Sequence, residues 1–320
     1  MGILKNLRRF AYRSQYVFAP ILNHDRPVDV SLELASTCNQ SCGYCYHADK
    51  ANLPFRTGFM NIKLAQLIIV DSAELQVPSI KFNYRGESTL HREFKEITAF
   101  AKDHADKKTF IDRLTNSNFK FDIEREDIFE GLCNQTKVKV SFDSFIPGVM
   151  EMQRAGSNRI KAMNNITKFH DHPKRKNTEL VIQAVRTNLN KDEDIEGTVK
   201  NRWPDAKVSI HDMVAGRVKS EKADSLLKRD RDDTERKSCI QAHARLIFNH
   251  DGKAQMCCPD IGSKLVVGSI LEQSVYQIFN SKKAKEIRTR LKTGSAFNMD
   301  PCKTCSSFES YKGFKPSWES

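Results

Sequence analysis

Residues 28–47, VDVSLELASTCNQSCGYCYH, decide the fold prediction because they join a short strand to a group of cysteines. The stretch VDVSLEL (28–34) alternates Val and Leu with polar residues, which is typical of a β-strand. Three cysteines follow on the next loop, separated by three and then two residues: Cys38, Cys42 and Cys45. Purely structural metal sites usually have four protein ligands. A set of three therefore indicates a site with one open coordination position, where chemistry can occur.

Strand patterns alternate with helical patterns from this point to residue 212. The patterns predict strands at 28–34, 78–84, 107–116, 136–143, 179–185 and 206–212. Apolar residues at helical spacing predict helices at 60–76, 91–104, 122–133, 157–171 and 192–202. Strands that alternate with helices pair in parallel through right-handed crossovers. Six such units predict an α/β fold, a partial (β/α)6 TIM-like barrel, with its chemistry at the carboxyl ends of the strands.

The sequence changes character after residue 217. Residues 218–235 are densely charged and are predicted to form a linker. The stretch ARLIFNHDGKAQMCC (244–258) predicts a β-hairpin that turns at Asp251–Gly252, and 271–294 predicts a helix that ends at Gly294. We therefore expect a basic extension (1–27), the barrel (28–217), the linker (218–235) and a small α+β domain (236–320).

Composition describes an ordinary globular protein. The chain has 320 residues, 39% of them hydrophobic, and no apolar run long enough for a transmembrane helix. The basic N-terminal segment lacks the apolar core and cleavage site of a secretory signal, so we expect a cytoplasmic protein. The net charge of +12 would suit a phosphorylated or nucleotide-linked substrate. The basic runs carry no interleaved aromatic residues, so direct binding to nucleic acid is not expected.

The nine cysteines fall into two groups, and only Cys133 lies between them. An odd number of cysteines without a secretory signal argues against a disulfide framework. Grouping of this kind indicates metal or cluster ligation in a reducing compartment. Cys133 ends a helical pattern and is expected to be a small core residue.

The triplet spacing, with the aromatic Tyr44 directly before the third cysteine, resembles the radical S-adenosylmethionine (SAM) superfamily. The resemblance implies that the three cysteines hold a 4Fe–4S cluster and that SAM occupies the open iron. The stretch YRGES (84–88) stands where that family has a Gly-Gly-Glu-Pro-like segment. A zinc site completed by His47 is the alternative that the residues leave open.

Individual residues of the barrel match the family's SAM-binding positions. Gly86 and Glu87 match the Gly-Gly-Glu-Pro-like segment, whereas Arg85 and Ser88 depart from its commonest form. The resemblance assigns Glu87 to the ammonium group of SAM. The runs LTN (114–116) and SFDS (141–144) resemble segments that line the SAM ribose and carboxylate. The further candidates for binding SAM are Asn116, Ser141, Asp143, Arg154 and Gln183.

The C-terminal cysteines resemble those of the SPASM/twitch domains that follow many radical SAM barrels. Twelve residues separate Cys239 from Gly252, and four separate Gly252 from Cys257. The resemblance implies one auxiliary 4Fe–4S cluster, the twitch arrangement, with the ligands Cys239, Cys257, Cys302 and Cys305. Cys258 should point to the opposite face of its strand, so the spacing favours Cys257 as the ligand. A four-cysteine zinc knuckle is the alternative.

The resemblance implies a radical mechanism, with a 5′-deoxyadenosyl radical that abstracts a substrate hydrogen atom. An auxiliary cluster that accepts one electron would make the net reaction a two-electron oxidation. We expect a small molecule or sugar as substrate, because fewer than thirty residues precede the first strand, and flavodoxin or ferredoxin as reductant. Peptide modification, a redox-neutral epimerisation that uses Cys133 or Cys258, and an iron–sulfur protein without turnover are the alternatives.

Overall fold

Nine strands form one sheet in the computed structural model, which describes residues 2–213, 239–293 and 298–305. The sheet order is β9-β8-β7-β1-β2-β3-β4-β5-β6. The first six strands are β1 (Asp29–Leu32), β2 (Ser79–Lys81), β3 (Asp112–Ser117), β4 (Lys137–Ser141), β5 (Glu179–Arg186) and β6 (Lys207–Asp212). The last three are β7 (Arg245–Phe248), β8 (Lys253–Gln255) and β9 (Val266–Ser269).

Strands β1 to β6 are parallel and lie side by side in chain order. Helices connect each strand to the next, as right-handed βαβ crossovers require. The helices, including those at both ends of the chain, are α1 (Gly2–Val17), α2 (Ala19–Leu22), α3 (Ile62–Glu74), α4 (Phe94–Asp103), α5 (Glu126–Cys133), α6 (Val149–Gln153), α7 (Arg159–His170), α8 (Ile195–Arg202), α9 (Ile240–Ala244), α10 (Val275–Phe279) and α11 (Lys282–Lys292). The predicted six-unit α/β architecture is confirmed.

The two faces of the parallel strands differ in polarity. In β4, Val138 and Val140 are fully buried, whereas Lys139 and Ser141 are partly exposed. Alternate side chains of a strand point to opposite faces, so the valines face the helices and the polar residues face the inside of the curved sheet, which we call the lumen. The helix side holds an aromatic core that includes Phe142 and Trp203.

Helix α1 contacts the amino ends of the strands. The Tyr12 hydroxyl donates to Asp29 at the start of β1, and Arg9 pairs with Glu179 at the start of β5 at 3.4 Å. The segment predicted as a basic extension therefore lies against the amino-terminal edge of the barrel sheet. Within the described residues, no helix is long and apolar enough to span a membrane.

The C-terminal strands extend the barrel sheet. Strand β7 pairs in parallel with β1, so that Leu32 lies opposite Phe248, and β8 and β9 then add antiparallel. The predicted turn forms at Asp251–Gly252, where the Gly252 N–H donates to Asn249 O at 2.8 Å. The charged linker (218–235), Gly294 and the last residues of the predicted domain lie outside the described residues.

Two of the differences from the predicted element boundaries have a clear local cause. The predicted helix over 271–294 is two helices, because the Ser274 and Ser281 side chains each cap a new helix start. The third strand begins at Asp112, later than predicted. Asp106 accepts hydrogen bonds from the Lys108 and Thr109 N–H groups, so the chain turns before the strand starts.

We predict that Gly252→Ala destabilises the protein and that Gly262→Ala does not. Gly252 has φ of +83°, and an added Cβ would lie 3.1 Å from Ile270. A non-glycine residue in this left-handed region costs about 1–2 kcal/mol. An added Cβ at Gly262 would meet nothing within 4 Å. Denaturant unfolding followed by circular dichroism measures both variants, and equal stability of the two would contradict the prediction.

Candidate active site

The cysteine triplet lies on the loop that leaves the carboxyl end of β1. Its turn is closed by hydrogen bonds from Cys45 N to Cys42 O at 3.0 Å and from Ala48 N to Cys45 O at 2.9 Å. Ser41–Cys42 also forms a two-residue antiparallel ladder with Arg154–Ala155. This ladder holds the loop against the segment that follows β4, a contact between residues more than 100 positions apart.

The loop 84–88, which follows β2, packs directly against the backbone that leads into the triplet. A Cβ on Gly86 would lie 2.3 Å from Thr37 O and 2.4 Å from Ala35 O, so a larger residue cannot fit without a backbone shift. The neighbouring Glu87 N–H donates to Thr37 O at 2.9 Å. Gly86 therefore positions the two loops relative to each other, which is a packing role in addition to the predicted SAM contact.

The Glu87 carboxylate is buried beside the triplet. Its oxygens accept from Thr89 Oγ1 at 2.7 Å and from the Asn118 N–H at 2.8 Å. Burial raises the pKa of Glu87. Burial, and then the negative charge of Glu87, raises the pKa of the Cys38 thiol to about 12. A thiolate at Cys38 therefore requires a bound cation, which the iron of a cluster would supply.

Asp143, Arg154 and Tyr44 form one buried polar group with Cys42. Arg154 donates to both Asp143 oxygens, at 2.8 and 2.9 Å, and the Tyr44 hydroxyl donates to one of them. The Val185 N–H donates to the other at 2.9 Å. The remaining Arg154 nitrogen, Nη1, lies 3.8 Å from Cys42 Sγ.

This group refines the predicted roles of Asp143 and Arg154. Both Asp143 oxygens already accept from protein donors, so this carboxylate chiefly orients Arg154. Two nitrogens of Arg154 are likewise engaged, and its third faces the cysteine triplet. The contact with the SAM carboxylate and the ribose role of Asp143 stay predictions, and the observed geometry places the Arg154 charge beside Cys42.

The other predicted SAM-binding residues line the carboxyl end of the lumen. Ser141 and Gln183 are paired across β4 and β5, and Asn116 on β3 pairs with the residue two positions before Ser141. The Asn116 Oδ1 is buried and has no hydrogen-bond partner in the described structure. The Asn83 Oδ1, just beyond β2, is also buried without a hydrogen-bond partner. Unsatisfied buried oxygens are costly, so a polar ligand such as SAM fits this position.

The alternative zinc site would need His47 as a fourth ligand beside the three cysteines. The His47 Nε2 lies 2.9 Å from Arg85 O, which engages that ring nitrogen. This contact disfavours a zinc site completed by the Nε2 of His47.

The C-terminal cysteines converge around Cys257. Burial raises the pKa of this thiol strongly, and the neighbouring thiols Cys258, Cys239, Cys305 and Cys302 raise it further. Cys302 and Cys305 are joined by a hydrogen bond from Cys305 N to Cys302 O at 3.2 Å. Cys258 is less buried, and its Sγ lies 3.9 Å from Gln241 Oε1. The preference for Cys257 over Cys258 as a ligand stays a prediction.

Arg85 connects the two cysteine-bearing regions. Its guanidinium binds both Glu33 oxygens at 2.6 Å, and its Nη1 donates to Ile261 O at 3.1 Å. The neighbouring Tyr84 hydroxyl donates to Asp260 O at 2.9 Å. The loop 84–88 thus bonds to the segment that follows Cys257–Cys258.

The sequence prediction missed the roles of Glu33, Asn83 and Arg85. A signal was present, because Glu33 and Asn83 continue the polar alternation of β1 and β2 towards the carboxyl ends. Arg85 was recognised only as a departure from the family pattern. Its partner Glu33 lies 52 positions earlier, a pairing that local sequence does not reveal.

Cys133 lies away from this site. It ends α5, and its Sγ is 3.5 Å from His172 Nδ1, a residue that follows α7. This position on the helical layer separates Cys133 from the lumen. It therefore does not suit the hydrogen-donor role that an epimerase would need.

Comparison with known proteins agrees with this geometry. Residues 239–306 match the SPASM family, described as an iron–sulfur cluster-binding domain. The solved structure of BtrN in complex with AdoMet and 2-DOIA is similar, with TM-score 0.58 and 17% identity, over 90% of this chain and 96% of that one. A search of curated proteins found no significant match.

Two further solved structures share the fold. The structure of anSMEcpe with bound AdoMet has TM-score 0.63 and 14% identity, over 89% of this chain and 86% of that one. The structure of Streptococcus suis SuiB bound to S-adenosylmethionine has TM-score 0.65 and 13% identity, over 92% of this chain and 77% of that one. The chain therefore shares the fold of these three structures, and its second cysteine group lies in the segment that matches the SPASM family.

We predict that Arg85→Met lowers the free energy of unfolding by about 3–5 kcal/mol, because the buried Glu33 carboxylate loses its arginine and keeps only the contacts with His250. The exposed pair of Arg125 and Asp127 provides a control, since Arg125→Met should cost less than about 1 kcal/mol. The double variant Glu33→Gln with Arg85→Met should recover more than half of the free energy of unfolding that Arg85→Met alone loses. Anaerobic denaturant unfolding measures the free energy of unfolding of each single variant and of the double variant. If the effects of Glu33→Gln and Arg85→Met simply add, the two side chains are not coupled and the prediction is contradicted.

Proposed function

We propose that this protein is a radical SAM oxidoreductase that completes a two-electron oxidation of a small molecule or sugar. The observation that carries the proposal is that one loop, 84–88, contacts both cysteine-bearing regions. Gly86 packs against the backbone before the triplet, whereas Tyr84 and Arg85 bond to residues just after Cys257–Cys258. Such a connection supports a reaction in which the two regions act on one substrate.

The cysteines are divided between two clusters in this proposal. When bound, the first cluster with SAM supplies a 5′-deoxyadenosyl radical, and the second accepts an electron. Arg154 places a positive charge beside Cys42, which favours the thiolate needed for ligation. The ligands would be Cys38, Cys42 and Cys45 for the first cluster and Cys239, Cys257, Cys302 and Cys305 for the second.

Polar residues at the carboxyl end of the barrel would hold SAM. Glu87 would accept its ammonium group, because a buried carboxylate gains most from a cationic partner. Asn116, Ser141 and Gln183 face the lumen and offer hydrogen bonds to the ribose and carboxylate. Asp143 would act through Arg154, which it orients.

The electron balance favours an oxidation. Removal of a hydrogen atom from an alcohol or amine carbon takes one electron and one proton from the substrate. To complete the oxidation, the substrate radical must lose a second electron, which a cluster held by Cys239, Cys257, Cys302 and Cys305 would accept, and a second proton, which a base or water would take. A reductant such as flavodoxin or ferredoxin would supply the electron for cleavage of SAM. The product is thereby two electrons more oxidised than the substrate.

Peptide modification is the second candidate, because similar folds serve both substrate classes. BtrN was solved with 2-DOIA, whereas anSMEcpe was solved with the Cp18Cys peptide and SuiB with the precursor peptide SuiA. The helical-layer position of Cys133 weighs against a redox-neutral epimerisation that would use this thiol. We favour a small-molecule substrate over a peptide because polar side chains line the lumen.

The experiment compares iron content and SAM cleavage in cysteine variants purified anaerobically. We expect about eight irons per chain in the wild type, since two 4Fe–4S clusters hold four each. Cys42→Ala should contain about four and form no 5′-deoxyadenosine with dithionite and SAM, and Cys257→Ala should also contain about four. Cys133→Ala, the control, should match the wild type in both measurements.

Wild-type protein with about four irons would contradict the two-cluster proposal. For any small molecule that stimulates 5′-deoxyadenosine formation, mass spectrometry should show loss of two hydrogens per SAM consumed. A product of unchanged mass would support the redox-neutral alternative instead.

A further inference from the structure

One lysine in the barrel lumen has no role in the contacts described so far. Lys139 is the middle residue of β4, opposite Asn116 on β3 and Val181 on β5. Paired residues of parallel strands point to the same face. Lys139 therefore shares the lumen face with Asn116 and, two residues further along β4, with Ser141.

The side chains that face the lumen at this level are not fully covered by the protein. Val138 and Val140, on either side of Lys139, are fully buried, yet Lys139 itself is partly exposed. Asn116 and Gln183, which face the lumen from the neighbouring strands, are also partly exposed. These exposed fractions leave the three side chains accessible to a ligand.

Lys139 also differs from the other lumen lysines because it has no ion-pair partner among the described residues. Lys137 pairs with Glu179 at 3.2 Å, and Lys81 pairs with Asp29. No carboxylate of the described residues lies within ion-pair distance of Lys139. The carboxylates of Asp29 and Glu179 pair instead with Lys81 and Lys137. Unpaired buried cations are costly, so one that persists indicates a ligand-binding role.

The charges around Lys139 come from four elements. Burial lowers its pKa to about 8, helped by Lys137 on its own strand, Lys81 on β2 and Arg13 on α1. Asp112 on β3 opposes this effect. Near neutral pH the group is therefore still mainly an ammonium ion, and a bound anion would stabilise that charge further.

We propose that Lys139 binds an anionic group of the substrate, a carboxylate or a phosphate, inside the barrel lumen. This inference rests on the proposed function and narrows its substrate class to acidic small molecules. The ammonium group belongs to a residue about 6–7 Å along the strand from Ser141, which lies at the carboxyl end. The anion would thus point into the lumen, while the hydroxyl or amine carbon that reacts stays near the triplet.

The neutral groups beside Lys139 fit the rest of such a substrate. Asn83 and Asn116 each present a buried oxygen without a protein partner, which can accept from a hydroxyl or amine. A molecule with one acidic end and hydroxyl or amino groups would satisfy both the ammonium group of Lys139 and these oxygens. SAM and the substrate would share the two amide oxygens as acceptors.

Anion binding by the reconstituted holoenzyme tests the proposal. Isothermal titration with malonate and with inorganic phosphate would compare the wild type with Lys139→Met, Lys139→Arg and the exposed control Lys63→Met. We expect Lys139→Met to weaken binding of at least one anion about tenfold or more, since a charge-assisted hydrogen bond is lost. Lys139→Arg keeps the charge and should bind within about threefold of the wild type, and Lys63→Met should match the wild type. Binding should also weaken as the pH rises above 8, where Lys139 loses its proton.

Two results would overturn the inference. One is equal affinity of the wild type and Lys139→Met for both anions, with circular dichroism showing that the variant is folded. The other is the absence of binding of either anion to the wild type. Formation of 5′-deoxyadenosine by the same wild-type preparation tests the proposed function separately, because it does not depend on the added anion.

Discussion

The close backbone contact between Gly86 and residues 35–37 is the constraint on which the site depends. Parallel strands β1 and β2 end side by side, so the loops that leave them must share one narrow space. A side chain at position 86 would collide with Ala35 O and Thr37 O. Glycine allows the contact, which sets Glu87 beside Cys38 on one side and Arg85 against Glu33 on the other. The cysteine loop is therefore positioned by contacts within the protein.

Two buried arginines give the site its electrostatic character. Arg154 is held by Asp143 and faces Cys42, whereas Arg85 is held by Glu33 and reaches the segment after Cys257–Cys258. Each guanidinium is paired with a carboxylate inside the barrel, so each keeps a fixed orientation at moderate cost. The first charge would stabilise a cluster made of anionic thiolates. The second joins the barrel to the segment after Cys257–Cys258, which connects the two cysteine regions.

Strand and helix periodicity predicted most of the barrel, because burial follows the sequence pattern, as in β4, where buried valines alternate with polar residues. The two cysteine spacings and the hairpin at Asp251–Gly252 were likewise local signals. The pairings of Arg85 with Glu33 and of Cys42 with Arg154 could not be predicted, since they depend on how distant loops meet. The late start of β3 was missed because Asp106 binds backbone N–H groups and so forms a turn within an apparently extended run. Lys139 was overlooked because a lysine within a strand looks exposed until the neighbouring strands show that its face is the lumen.

The central claim is that the three-cysteine site leaves one iron open for SAM. The most direct measurement is the electron paramagnetic resonance spectrum of the dithionite-reduced Cys257→Ala variant, in which only the triplet cluster should remain. Addition of SAM should change the g values of that cluster, because SAM binds to its open iron. An unchanged spectrum at saturating SAM, with the cluster intact by iron content, would contradict the account.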